Sequence, residues 1–483
     1  MLFNSVPFLI FFVITTGLFF ALPGKAKNVV LLAASYFFYM WWNPLFVLLI
    51  LFTTLVSYFA ALFMEKKPQR KKTFMILSVV VIFVQLFFFK YYNFFAGGLS
   101  MLLGAVTGKT IGLGLNILLP VGISFYTFQT VSYVIDVYRG KIPAEKNLFF
   151  YALFVSFFPQ LVAGPIERPG DLIPQLKAEH RFSAENVLAG GRIMVIGFFE
   201  KIAVADMLGI VVNRVYENIT GASGAAVAVA TLLFCVQILC DFKGYSDIAK
   251  GIALIYGIRL STNFDHPYRA GSIKEFWNRW HITLSAWFRD YVYFPLGGGR
   301  VRFFRWCLNI LIVFLLSGLW HGADITFVLW GVVLALFRIL ENPITRKQPP
   351  QNRASAIFRH AMTFLIVALA WVLFRGNSLA EVGIAYRALF TQWDLSTAGL
   401  AETWSFLQLS LSKVFFGAAI LLLFLFYEKI LARLDACCSK GGRAVPAKIG
   451  KVLFFAVLIW ATIGSFIYLN AAGVESSFIY FRF

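Results

Sequence analysis

Six stretches of this 483-residue chain, 6–22, 45–63, 74–89, 361–373, 415–426 and 452–468, run for a dozen or more residues without one Asp, Glu, Lys or Arg. A membrane span needs roughly 17 to 25 predominantly apolar residues, and tilt with flanking aromatics makes up a deficit. Such windows leave little room for a soluble fold. Composition agrees: 60% of residues are hydrophobic and 14% charged, against about 25% charged in soluble domains. The 55 Phe residues suit lipid-facing surfaces, and Trp41-Trp42 and Tyr91-Tyr92 suit interfacial belts. The expectation is an all-α polytopic membrane protein with about ten to twelve crossings. Residues 1–22 lack a basic lead-in and a cleavage site and read as a retained first span.

A net charge of +20 would suggest nucleic acid in a soluble protein; loop placement accounts for it here, and no nucleic-acid partner is expected. Cations gather at Lys25 and Lys27, at 66–72, at Arg139 and Lys141, at Arg346-Lys347 with Arg353 and Arg359, and in a loop over 429–451. The positive-inside rule makes these sites cytoplasmic. Helices between them must then come in even numbers. Two helices, near 29–42 and 45–63, fit between Lys27 and Lys66. A crossing near Ala361, a polar external loop over 376–405 and a crossing near Phe415 return the chain to Lys429. A final span delivers the C-terminus outside. Cys235, Cys240, Cys307, Cys437 and Cys438 form neither a disulfide framework nor a metal-ligand spacing, so no metal is expected.

No repeat of solenoid or inverted-transporter type emerges. Polar interruptions cluster instead between 161 and 331. Residues 161–169, LVAGPIERP, are broken by Gly and Pro, which fits either a cavity wall or a helix cap and turn at the interface. Residues 240–247, CDFKGYSD, set Asp241, Lys243 and Asp247 in an apolar stretch. Ionisable groups in a span line a polar cavity or pair internally: Asp241 and Lys243 either neutralise each other, with Gly244 breaking the helix, or form a site wall. Residues 272–291 read as an amphipathic interfacial helix with Trp277, His281 and Leu284 on one face and Ser285 a turn beyond His281. The run Gly297-Gly298-Gly299 reads as a turn.

His321 is the sharpest single residue, set in LLSGLWHGAD (315–324) inside an apolar stretch. A neutral imidazole takes up a proton near physiological pH and is the usual general base for a hydroxyl; a core histidine would still need a hydrogen-bond partner. His281 is a second candidate, whereas His180, His266 and His360 sit in or beside polar loops and read as structural.

Together the Trp280-His281 helix, the segment Ser317-Gly318-Leu319-Trp320-His321-Gly322 and the stretches AGPIER (163–168) and DFKGYSD (241–247) resemble the membrane-bound O-acyltransferases, in particular the bacterial branch of alginate O-acetyltransferases. The resemblance covers most of the chain. It implies a ring of tilted helices around a central funnel, with re-entrant or interfacial helices and His321 at the narrow point. His281 would lie on a cytoplasmic-side helix. Within this single membrane domain it suggests N-terminal spans over 1–145, a catalytic core over 146–345, C-terminal spans over 346–472 and an extracytoplasmic tail over 473–483. Trp280, Trp320, Ser317 and Asp241 would line the funnel, and Arg289 and Asp290 would order its cytoplasmic mouth. The resemblance further implies a bacterial cytoplasmic membrane location, acetyl-CoA as donor substrate with no bound cofactor, and His321 as the base that takes the acceptor's proton.

The last residues, FIYFRF (478–483), resemble the C-terminal motif of the small companion protein of D-alanylation systems, whose tyrosine carries the acyl group; interfacial aromatics are the plainer alternative. The resemblance makes Tyr480 an acyl relay and implies an extracytoplasmic transferase of the SGNH serine-esterase type as partner. An exopolysaccharide or cell-wall polymer would be the final acceptor. Rival readings are a D-alanyl or other acyl transferase of the same family and a polytopic transporter or flippase.

Overall fold

The computed structural model describes residues 1–108, 112–342, 352–438, 444–474 and 478–479. No strand occurs among them. Backbone N–H and C=O groups have no water to bond in a bilayer core, so spanning segments close their hydrogen bonds within helices. The first half comprises α1 (Val6–Ala21), α2 (Ala26–Met40), α3 (Phe46–Lys66), α4 (Lys71–Leu86), α5 (Tyr92–Thr107), α6 (Ile123–Tyr138), α7 (Leu148–Ser156), α8 (Phe158–Leu161), α9 (Pro169–Lys177), α10 (Ala184–Phe198) and α11 (Met207–Glu217). The second comprises α12 (Gly224–Ile255), α13 (Ile273–Arg279), α14 (Ile282–Phe288), α15 (Phe303–His321), α16 (Ile325–Leu340), α17 (Arg353–Arg375), α18 (Leu379–Thr391), α19 (Thr397–Leu407), α20 (Leu411–Cys438) and α21 (Ala444–Ala471).

Among the described residues, seven helical segments are long and apolar enough to cross a membrane, and α1, α2 and α16 are shorter apolar helices. The chain is a multi-pass membrane protein. Large hydrophobics such as Val13, Leu48 and Trp460 point outward along these helices, as a lipid-facing surface requires. Two segments expected as loops, one basic and one polar, differ from expectation. Of the basic region, residues 429–438 continue α20 and residues 444–451 begin α21, where Leu, Ile and Ala sustain helix, and Lys451 pairs with Asp435. The stretch 376–405 carries α18 and α19, whose N-termini are capped by Ser378 and Ser396. Arg346-Lys347 lie outside the described residues.

Four glycines decide how the centre packs. A Cβ on Gly190 of α10 would lie 2.5 Å from the Gly251 carbonyl of α12, and one on Gly197 would lie 2.6 Å from the Gly244 carbonyl. Only hydrogen side chains let two membrane helices approach this closely. Gly244 therefore does not break its helix: α12 runs unbroken for 32 residues, and the glycine is a contact surface. The contact carries the π-helical turn Phe199–Asp206 against α12. Further π turns occupy Phe87–Tyr91 and Arg289–Tyr293.

Candidate active site

His321 closes α15. The chain turns sharply at Gly322, where a Cβ would collide with the Phe327 ring at 2.2 Å. Gly318, one turn back, packs against Gly331 of α16: a Cβ on Gly318 would meet the Phe327 carbonyl at 2.3 Å. The paired glycines fix the end of α15, and His321 is buried among Trp330, Phe374 and Trp320 at ring separations of 5.1, 5.4 and 4.9 Å. The last carbonyls of a helix lack intrahelical partners. Here the π turn aims two donors at them: Tyr91 Oη donates to the Leu319 carbonyl at 2.9 Å, and Lys90 Nζ to those of Trp320 at 2.5 Å and His321 at 3.3 Å.

The expected helix through Trp280 and His281 is broken in two. Trp280 is extended and His281 takes a left-handed backbone with φ 42°, one of three non-glycine residues with positive φ among those described. Such strain persists where surroundings fix it. Asn263 supplies the fixing: its carbonyl accepts from Ile282 N at 2.9 Å, and its side-chain oxygen accepts from Thr283 Oγ1 at 2.7 Å. His281 therefore sits not on an interfacial face but fully buried. Its ring meets Phe242 at 4.6 Å and Trp320 at 5.6 Å. The Trp320 indole thus touches both imidazoles, and neither His281 nitrogen has a hydrogen-bond partner among the described residues. Trp280 turns away, stacking on Phe276 and packing on Trp371.

A cavity of about 80 Å³ lies beside His321. Lys90, Gly122, Ser124, Phe125 and Trp320 line it with the histidine. Gly122, at φ 76°, caps α6 without a side chain and sits where a Cβ would be 2.8 Å from the Leu161 carbonyl. The Gly/Pro-broken segment is accordingly buried from Leu161 to Glu167, and Val162 lines the cavity.

Asp241 does not pair with Lys243. It binds Lys201 at 2.5 Å, which also holds Asp206 at 2.6 Å; Lys243 pairs with Glu200 and Asp247, both at 2.7 Å. Residues two apart on a helix point to different faces, so Asp241 and Lys243 find separate partners on the π turn, Lys201 and Glu200, and Lys243 a second one turn along α12 at Asp247. Asp241 also accepts the backbone N–H of Ile479 at 2.8 Å. Phe478 packs on Tyr245 at 4.9 Å and on Phe242 at 5.8 Å. The 478–479 segment thus lies against a ring that contacts His281. Tyr480 lies outside the described residues.

Arg289 and Asp290 form a separate cluster. Asp290 binds Arg168 and Arg289, both at 2.9 Å, and its carbonyl accepts from Arg139. The Arg168 guanidinium lies 4.6 Å from the Tyr291 ring centre. Aromatic contacts from Tyr291 through Trp287 and Phe128 lead back to Trp320. Glu167, next to Arg168, is buried and accepts from Ser261 N at 2.6 Å and Ser261 Oγ at 2.9 Å. Burial pushes its carboxyl up to about 7 despite those two bonds. Ser317 is buried one turn before His321. His180 is buried, His266 pairs with Asp265 and Glu428, and His360 bonds its own helix carbonyl at Ala356; none reaches the His281–His321 pair.

Sequence reasoning did not single out Lys90, Asn263 or Lys201. Lys90 carried a signal, being a lone cation directly after seventeen uncharged residues; Asn263, in a polar connection, carried none.

Fold and site together describe a polytopic helical membrane protein in which two histidines are enclosed at the buried end of a span. Residues 142–380 match the family model of MBOAT, the membrane-bound O-acyltransferase family. The chain belongs to the membrane-bound O-acyltransferase family. It is 40% identical over 292 residues to a probable alginate O-acetylase of Pseudomonas syringae pv. tomato, covering 59% of this chain and 55% of that protein. It is 36% identical over 295 residues to a peptidoglycan O-acetyltransferase of Helicobacter pylori, covering 55% of each, and 28% identical over 295 residues to a teichoic acid D-alanyltransferase of Bacillus subtilis, covering 54% and 70%. The matched stretch spans little more than half the length of the O-acetylating relatives.

Proposed function

We propose that this protein is an O-acetyltransferase that takes an acetyl group from cytoplasmic acetyl-CoA and delivers it across the membrane for O-acetylation of an extracellular or cell-wall polysaccharide. The observation that carries the reading is the pair of buried imidazoles, His281 and His321, on one indole, with a cavity at the second. The relatives' names add acetyl transfer to alginate and to peptidoglycan. In the reaction, an acceptor hydroxyl oxygen attacks the thioester carbonyl while the His321 imidazole takes its proton. The C–S bond then breaks, and the thiolate leaves with that proton. His281 shares the enclosed site, and Trp320, Ser317 and Asp241 shape its walls. The first acceptor is Tyr480: the residues immediately before it, Phe478 and Ile479, are buried on the His281 side. An SGNH-type partner outside the membrane then moves the acetyl group from the tyrosine to the polymer.

The test is to incubate purified protein with radiolabelled acetyl-CoA and map the retained label after proteolysis. Label on the C-terminal peptide, lost in His321→Ala and Tyr480→Phe, is the expected result. A folded wild type that takes no label from acetyl-CoA overturns the donor assignment. Label that persists in Tyr480→Phe overturns the relay.

A further inference from the structure

Lys90 stands out among the charged groups of the molecule. It lies on the π turn of a 40-residue helical segment (Pro68–Thr107), seventeen uncharged residues beyond Lys72, where an ammonium is costly. Two other interior cations are ion-paired, Lys201 with Asp206 and Asp241, and Lys243 with Glu200 and Asp247. Among the described residues, no carboxylate lies within ion-pair distance of Lys90. Its Nζ meets the Trp320 and His321 carbonyls and, at 3.5 Å, Ser124 Oγ. It lines the same cavity of about 80 Å³ as His321. A cation kept at this cost, facing a cavity without a fixed counter-charge, suits an anion that exists only transiently.

Building on the proposed acyl transfer, we infer that Lys90 is the oxyanion-stabilising residue of the site. As the acceptor oxygen bonds to the thioester carbon, the carbonyl π electrons move onto oxygen. The Lys90 ammonium faces that negative charge inside the cavity. When the tetrahedral species collapses, the C=O bond reforms, the C–S bond breaks and the His321-borne proton goes to the thiolate. Lys90 neither gives nor takes a proton. A preorganised charge in an enclosed site stabilises a developing anion without reorganisation. The carbonyl contacts hold the ammonium in place and tie it to the helix end that carries the base.

Three substitutions separate charge from helix capping. Lys90→Arg keeps charge and donor, Lys90→Gln keeps a donor for the Trp320 carbonyl without charge, and Lys90→Met keeps neither. Acetyl transfer from labelled acetyl-CoA by the purified full-length protein is expected to fall roughly 100-fold or more in both Lys90→Gln and Lys90→Met. The KM for acetyl-CoA should stay within about twofold in both, and Lys90→Arg should recover most of the rate. Tyr91→Phe, which removes an uncharged donor from the same helix end, should cost less than about tenfold. A Lys90→Gln protein at the wild-type rate, or a loss in Tyr91→Phe equal to that in Lys90→Gln, would reduce Lys90 to a helix cap and overturn the inference. Hydrolysis of p-nitrophenyl acetate is measured in parallel. A wild type that cleaves the ester but ignores acetyl-CoA refutes the donor and leaves the Lys90 series readable on the ester. A wild type that turns over neither overturns both readings.

Discussion

The backbone N–H of Ile479 donates to the Asp241 carboxylate at 2.8 Å, joining the end of the chain to the middle of α12 across 238 positions of sequence. The same carboxylate is ion-paired with Lys201, so the acceptor is held in place independently of the tail. A hydrogen bond to a charged, buried partner contributes about 1.5 to 3 kcal/mol. Ile479→Pro removes the donor but also fixes φ and restricts Phe478, so Ile479→Val, which keeps the N–H, is measured beside it. Acetyl labelling of the C-terminal peptide should therefore fall by about tenfold or more in the proline variant, with the Asp241–Lys201 pair and the thermal stability of the membrane domain retained. Labelling equal to wild type would show that the bond does not hold the tail.

Removal of either histidine tests the pair that Trp320 joins. His321→Ala is expected to lower transfer by about 10²- to 10⁴-fold, the usual worth of a positioned general base. Trp320→Leu should also lower the rate, because the indole contacts both imidazole rings. Single-turnover labelling rates for these variants, beside His281→Ala, give the measurement. A His321→Ala protein that labels at the wild-type rate would assign the base elsewhere.

Gly318 and Gly331 set the distance between α15 and α16. Gly318→Ala would press a Cβ to within 2.3 Å of the Phe327 carbonyl, which is backbone and cannot rotate away. Overpacking of this kind costs about 1 to 3 kcal/mol. The expected result is a lower melting temperature in detergent together with a larger loss of transfer, since the displaced element carries His321. Gly417→Ala, at a position with nothing within 4 Å, is the control and should leave both unchanged.

The buried Glu167 predicts a specific pH dependence. Its carboxyl titrates near 4.5 when exposed and about 7 in the fold, raised by burial. The folded protein therefore holds this proton more tightly than the unfolded chain. The associated stability is complete below about pH 4.5 and is lost as pH rises through about 7, amounting to about 3 kcal/mol at most. Glu167→Gln should flatten the fall in melting temperature between about pH 5 and pH 8. A variant with the same slope as wild type would place the titrating group elsewhere.

Span positions were legible in the sequence because they depend on the solvent. A window without charge is stable in hydrocarbon wherever it occurs, so α3, α4 and the central part of α17 fall where 45–63, 74–89 and 361–373 pointed. His321 was legible for the same reason, as a polar ring within an apolar stretch. The break at Trp280–His281 was not: the local pattern favours one amphipathic helix, and Asn263 overrides it from another segment.

What the sequence determined by itself, then, is the environment of each segment, since hydropathy is a property of the residue and its solvent. The tertiary structure decided the partners. Asp241 lies two residues from Lys243 in sequence but binds Lys201, and Lys90 reaches Trp320 across 230 positions. Ion pairs and cavities depend on which helices share an interface and how closely. In this protein that approach is set by glycine contacts, Gly190 on Gly251, Gly197 on Gly244 and Gly318 on Gly331, whose meaning appears only when two distant helices meet.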